Sequence, residues 1–370
     1  MRVRSAPARH ISRTPELLRR FIHETDQDMK VSPARTGACA DSSDTGPTGP
    51  GDADAATGRR RCSAEVRTGR AGRLRATVKA LLLGALPGAL FIVVWSSGYL
   101  VGKLGMREMP ALTLLWWRFL VAAVVMGVVA IVTRAPWPRR PMAWIHLIVT
   151  GFVLHAVQFG GIYIGLDLGV SAGLASLIAS AGPLVIAAIA VPVFGEVLRK
   201  HQWLGLLLGL LGVAAAVSSE LGGGVSIAGL IALLVSLAAF SSGTLYQKRF
   251  GAVMDLRTGL TVQLVVATAS ITPLAIGHGG LSVPVTFSAI WPIVWVSLVS
   301  SIGGLVLLFT LLRRRGGGAA TSYLFLVPPV TALAAIPLLG QPLQVGAMIG
   351  TALAAVGVAL VTRSGRQAAG

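Results

Sequence analysis

Beyond residue 79 the chain has five acidic residues, Glu108, Asp167, Glu196, Glu220 and Asp255, and not one cysteine. These two scarcities exclude much. An enzyme working through paired carboxylates, or through a Cys with a His, needs ionisable groups gathered at one depth, and no such cluster exists here. Cys39 and Cys62 both fall in the polar first segment, so neither a disulfide framework nor metal-ligand spacing can be read. No metal and no cofactor is expected. The Gly-x-x-x-x-Gly-Lys-Ser/Thr phosphate loop is missing as well, which excludes ATP drive from this chain. What remains is 54% hydrophobic and 12% charged, with a mean hydropathy of +0.74. That is the makeup of a protein that sits in lipid.

A pI near 11.5, with the runs Arg59-Arg60-Arg61 and Arg313-Arg314-Arg315, raises the question of nucleic acid. The second run lies between apolar segments too long for soluble core helices. The first lies in a Gly/Pro/Asp/Ser-rich stretch without interleaved aromatics. Nucleic acid is therefore not an expected partner, and the basic excess reports orientation in a bilayer instead.

Residues 1–79 read as a disordered, basic, cytoplasmic extension: Gly46, Pro47, Gly49 and Pro50 stand among Asp41, Asp44, Asp52 and Asp54 with no hydrophobic periodicity. The apolar stretch Pro15–Phe21 is too short and too charged for a secretory signal, and Met29 offers an alternative start. From Ala80 onward, apolar stretches of about 20 residues recur, each enough to cross ~30 Å of hydrocarbon. Ten helices are expected, near 80–102, 111–133, 142–165, 172–194, 202–219, 226–247, 258–276, 288–311, 318–338 and 345–362. With both termini cytoplasmic, the inner loops hold Arg134, Arg139, Arg140, Arg199, Lys200, Lys248, Arg249, Arg257, Arg313–Arg315, Arg363 and Arg366, against Lys103 and Arg107 alone outside. This asymmetry sets the expected topology, a multi-pass protein of the inner membrane.

Sliding the sequence along itself by 145 residues gives an ungapped match. Trp95-Ser96-Ser97-Gly98 falls on Phe240-Ser241-Ser242-Gly243, Pro183 on Pro328, Pro192 on Pro337, and Gly195, Gly205 and Gly212 on Gly340, Gly350 and Gly357. Between 173 and 214, 14 of 42 positions are identical, both prolines included, which shared apolar composition does not produce. The repeats are 80–219 and 226–363. An odd number of helices makes the second copy enter the membrane from the opposite side, and the loop charges invert accordingly. The expected fold is an all-α membrane protein of ten transmembrane helices in two inverted five-helix repeats, the plan of secondary transporters.

Trp95-Ser96-Ser97-Gly98 with Lys103, Pro110 followed by Arg118-Phe119, and Gly195-Glu196 leading to Gly205 and Gly212 resemble the EamA-type repeats of the drug/metabolite transporter superfamily. The resemblance covers about 80–363 and implies a ten-helix exporter or importer of metabolites, amino acids or drugs, with efflux as the expected direction. A channel or a non-transporting membrane scaffold is the alternative. Gln341 stands where the second repeat's acid is usual, and Gln263 at the position matching Arg118, so at these two motif positions only the first repeat is charged.

The candidate substrate-binding residues are Trp95, Tyr99, Arg118, His155, Gln158, Pro183, Phe240, Gln263 and Pro328. Arg118 lies about eight residues into its helix, where a cation costs ~2.5–3.5 kcal/mol unless it faces the bundle or water. Two roles fit it: a hold on an anionic substrate group, or a structural donor satisfied by carbonyls or Asp167. His155, with Gln158 on the same face, fits a core hydrogen bond or a relay. Trp95, Tyr99 and Lys103 form a stripe at i, i+4 and i+8, matched by Phe240, Thr244 and Lys248; packing and binding both use such a stripe. Pro183 and Pro328 interrupt matched helices and release backbone carbonyls, the usual pointer to a transporter site, though simple kinks look the same. The glycine faces around Gly205, Gly209, Gly212, Gly346, Gly350 and Gly357 allow close helix approach, to a helix of the same chain or to a second protomer in a homodimer. The expected partners are thus a small metabolite and the bilayer.

Overall fold

The computed structural model of the chain describes residues 86–194, 198–221, 225–250, 255–315, 323–342 and 345–362. The expected extension 1–79 and Glu196 lie outside the described residues. Every regular element among the described residues is helical. In chain order these are α1 (Leu86–Gly105), α2 (Ala111–Val132), α3 (Pro141–Asp167), α4 (Ala172–Ser180, continuing as Gly182–Phe194) and α5 (Lys200–Leu221). They are followed by α6 (Ile227–Phe250), α7 (Leu256–Gly277), α8 (Phe287–Val294, Trp295–Gly303 and Gly304–Arg315), α9 (Val327–Leu339) and α10 (Val345–Thr362).

Eight of these helices, α1 to α8, are long and apolar enough to cross a membrane, while α9 and α10 are shorter apolar helices. The expected unbroken helix over 318–338 is corrected: Tyr323 and Leu324 are helical, Phe325 and Leu326 form a turn, and α9 proper begins at Val327. Pro328 and Pro329 explain the start, since proline fits the first turn, whose N–H groups have no partner, and biases the residue before it away from helix. Gly340, at φ +67°, closes α9 in a left-handed cap that a side chain would strain.

Large apolar side chains cover the outside as well as the inside. Ile131 and Leu210 are each 68% exposed, whereas Leu114 on α2 is fully buried with Phe119, Tyr163, Leu174 and Leu233 around it. A soluble protein does not display such a surface, and lipid accepts it.

Matched helices of the two repeats pack antiparallel, as inversion requires. On α2 and α7, Trp116 Nε1 donates to Thr272 Oγ1 at 2.9 Å, while Gly127, further along α2, lies against Thr261, earlier on α7. On α4 and α9, Gly173 meets Ala332 and Ser180 Oγ donates to Leu324 O at 3.3 Å. On α5 and α10, Gly346 faces Ser219, Gly350 faces Gly212 and Gly357 faces Gly205. A Cβ on Gly212 would come within 2.5 Å of Gly350 O, and one on Gly357 within 2.5 Å of Gly205 O. The small faces are therefore used on each other inside one chain, so that the backbones touch.

Two π-helical stretches, Gly151–Val157 in α3 and Trp295–Gly303 in α8, widen their helices at matched positions: adding 145 to 151–157 gives 296–302. Such turns leave i−4 carbonyls unpaired and re-aim side chains, and they are frequent at functional sites. In α8 the Ser301 hydroxyl donates to Val296 O at 2.8 Å, five residues back.

Candidate functional site

Arg118 comes from the middle of α2 and is 5% exposed. Its Nε donates to Ser301 Oγ at 2.9 Å and its Nη1 to the Tyr163 hydroxyl at 3.2 Å. The guanidinium carbon sits 4.3 Å above the Phe159 ring and 5.8 Å from that of Tyr163. The structural-donor reading therefore has its partners, but they are not carbonyls and not Asp167. Among the described residues Arg118 has hydroxyl and π-face partners and no acidic one, so its charge is stabilised without being neutralised. A cation held in this way keeps an attractive field for an anion.

Gln263, at the matching position on α7, is bonded on both sides of its amide. Its Oε1 lies 3.1 Å from His155 Nε2, and its Nε2 donates to Thr150 Oγ1 at 3.0 Å. Thr150 in turn donates to His146 O and Leu147 O. His155 stands in the π stretch of α3, and its ring lies parallel to that of Phe159, centroids 6.3 Å apart, with Phe119 edge-on to both. The two repeats thus exchange partners. Arg118 of the first repeat bonds the π stretch of α8, and Gln263 of the second bonds the π stretch of α3.

Other expected residues are distributed around this centre. Gln158 is half-buried, one residue past the π stretch; the wider turn pairs His155 with Phe159 instead of with Gln158. Tyr99 packs against the core that contains Phe119 and Tyr163. Trp95 belongs to a separate cluster: its ring lies 5.1 Å from that of Phe91 and covers Gly304 on α8, beside buried Leu311. Phe240 lies on Gly182, where a Cβ would collide with its ring.

The prolines mark true breaks. The helix of α4 is interrupted at Ala181, with Pro183 in the first turn of the second segment, and the matched pair Phe325 and Leu326 forms a turn just before Val327 and Pro328. Pro183 and Pro328 therefore each stand in the first turn of the helix that follows a break, not in a helix interior. The carbonyl of Leu324, four residues before Pro328, is taken by the Ser180 hydroxyl at the edge of the other break. Sequence reasoning missed Phe159, Tyr163 and Ser301. The first two follow His155 at i+4 and i+8 on α3, a spacing visible in the sequence.

Comparison with known proteins agrees with this architecture. The sequence matches the EamA-like transporter family twice, over residues 82–218 and 227–363. It is 26% identical over 299 residues to the Bacillus subtilis (strain 168) protein named "Uncharacterized transporter YvbV", covering 80% of this chain and 96% of that one. It is 26% identical over 281 residues to the Escherichia coli (strain K12) "Uncharacterized inner membrane transporter YedA", covering 74% and 90% respectively. A Salmonella typhimurium protein named "Probable amino-acid metabolite efflux pump" is 29% identical over 161 residues, 43% of this chain and 52% of that protein. A solved crystal structure superposes with a TM-score of 0.56 at 21% identity, covering 77% of this chain and 98% of the other, which shows a shared fold.

Proposed function

This chain belongs to the EamA-like transporter family, and from that premise we propose that it is a secondary carrier exporting small metabolites with an anionic group, amino or organic acids above all. In this reading ten helices span the inner membrane with both termini cytoplasmic, and the two repeats rock about a central site to give alternating access. The observation that carries it is Arg118: a buried cation at mid-helix whose partners are two hydroxyls and an aromatic face. A substrate carboxylate entering there gains an ion pair that no acidic group among the described residues already supplies. The aromatic rings of Phe159 and Tyr163 suit the apolar part of an amphipathic solute. The efflux-pump name of the Salmonella relative supports the amino-acid class and the outward direction. Trp95 and Phe240 act as packing around the helix crossings, and the broken helices α4 and α9 supply the discontinuities that rocking needs.

The test compares metabolites inside and outside cells that make the wild-type chain or Arg118→Gln at equal membrane levels. Wild-type cells are expected to accumulate one or more carboxylate metabolites outside, and Arg118→Gln cells to lose that accumulation. Export that is unchanged in Arg118→Gln, or confined to cations, overturns the anion site.

A further inference from the structure

A second polar assembly lies where α3 passes into α4, and it is held from three directions. Lys103 Nζ, at the end of α1, donates to Leu166 O at 3.1 Å and to Val170 O at 2.8 Å. Glu220, in the last turn of α5 and 3% exposed, accepts from the Ser171 N–H at 3.3 Å and from the Ser171 hydroxyl. Gln341, just past α9, accepts from Ala172 N at 3.2 Å. Beside this link lies a cavity of about 230 Å³ bordered by Lys103, Arg107 and Asp167 together with Met106, Leu166 and Gln341. An ammonium has three donors. Lys103 uses two of them on backbone carbonyls and lines the cavity with the same side chain.

The cavity is joined to the central site through α3. Arg118 is bonded to the Tyr163 hydroxyl, and Lys103 to the carbonyl of Leu166, three residues on. Gly102, next to Lys103, leaves room for that same hydroxyl, which a Cβ would meet at 3.5 Å. The two cations therefore succeed each other along one helix, with Arg107 beyond them at the exposed rim.

We propose that this cavity is the outer station of the transport route, taking the carboxylate of a monoanionic or zwitterionic metabolite on Lys103 and Arg107 once Arg118 has released it. The inference rests on the orientation and the anion reading proposed above. A carboxylate makes a stronger partner for an ammonium than the neutral carbonyls of Leu166 and Val170 do, so an arriving substrate competes with them for Lys103. Asp167 offers an acceptor to a substrate ammonium and disfavours dianions by repulsion.

The test needs no knowledge of the substrate. Met106→Cys is made in the full chain carrying Cys39→Ser and Cys62→Ser, and intact cells are treated with membrane-impermeant methanethiosulfonates, one bearing a sulfonate and one a trimethylammonium group. Each rate is normalised to that of the same reagent with 2-mercaptoethanol. The sulfonate reagent is expected to be favoured about tenfold, the lower end of what a focused positive cleft produces. Lys103→Gln in this background should bring the ratio near parity, and Lys103→Arg should keep it. Parity with Lys103 intact, or reaction from the inner face only, overturns the proposal. Adding Arg118→Gln separates the two claims: it is expected to abolish export while leaving the labelling preference in place. Normal export with that preference intact would sink the Arg118 site and leave the outer cavity standing.

Discussion

Arg118 and Ser301 are 183 residues apart in sequence and 2.9 Å apart in space, one at the middle of α2 and the other in the π stretch of α8. Ser301 accepts from the guanidinium and hands its own proton to Val296 O, so the widened turn of one repeat holds the charge of the other. Ser301 is thereby a positioning residue for the cation.

Ser301→Ala removes that hold and leaves Tyr163 as the remaining hydroxyl partner. Hydrogen bonds to a charged group contribute about 1.5–3 kcal/mol, so the KM for an anionic substrate should rise about tenfold or more. The chain should still insert, and Ser301→Thr should restore most of the affinity. An unchanged KM in well-expressed Ser301→Ala rejects the positioning role.

Gln263 is expected to behave differently, because its amide is fully used on His155 and Thr150. Gln263→Ala leaves the His155 ring nitrogen without this partner while Thr150 keeps its own donated bonds, and this should lower stability by about 1–3 kcal/mol in all. Thermal unfolding in detergent should show the loss, while the preference for anionic over cationic substrates stays as in the wild type. A change of charge preference without a change of stability would return Gln263 to the binding site.

The contrast between these residues marks how far the sequence could be read. Long apolar stretches announce helices because lipid leaves the chain no other way to satisfy its backbone, and matched prolines announce the repeat because few other residues force a break. Arg118 was legible for the same reason: a buried charge is costly enough to demand a purpose. Its partners were not. Ser301 reaches Arg118 only through the inverted packing of α2 and α8, and the π stretches alter backbone register without altering composition. The His155-Phe159-Tyr163 spacing was in plain view, but counting regular turns paired His155 with Gln158. Trp95 was grouped with Tyr99 by helix face, and its packing on Gly304 of α8 could not be read from that face alone. Glu220 was expected beyond the end of its helix; the structure buries it in the last turn, bonded to Ser171.

The contact of α5 with α10 should be intolerant of any side chain. At Gly350 a Cβ meets the backbone of Gly212 and Ala216, which cannot swing aside. Overpacking of this kind costs about 1–3 kcal/mol, so Gly350→Ala should lower the unfolding temperature measurably and Gly350→Leu should prevent correct assembly. Gly277→Ala, where nothing lies within 4 Å, is the control and should unfold like the wild type.

Asp255, just before α7, caps the helix at Arg257 N and pairs with the same residue's guanidinium at 2.8 Å. The Arg257 hydrogen bond is the main cause that pushes its carboxyl from 3.8 down to about 2. A depressed acid contributes its stability in full above the unfolded value and loses it as pH falls through the folded one. This cap should therefore be intact above about pH 4 and fail only towards pH 2. Asp255→Asn keeps a capping oxygen and should leave the pH profile of transport between 5 and 8 unchanged, while Asp255→Ala should cost about 1 kcal/mol.

The glycines of α5 and α10 answer one another reciprocally. Gly205 and Gly350 are counterparts under the 145-residue shift, and so are Gly212 and Gly357; in space, Gly212 meets Gly350 and Gly357 meets Gly205. Residue i of one half touches residue j of the other, and j touches i, which is the signature of an isologous twofold contact between identical subunits. The seam inside this chain therefore has the form of a dimer interface, with the two repeats standing in for the two subunits.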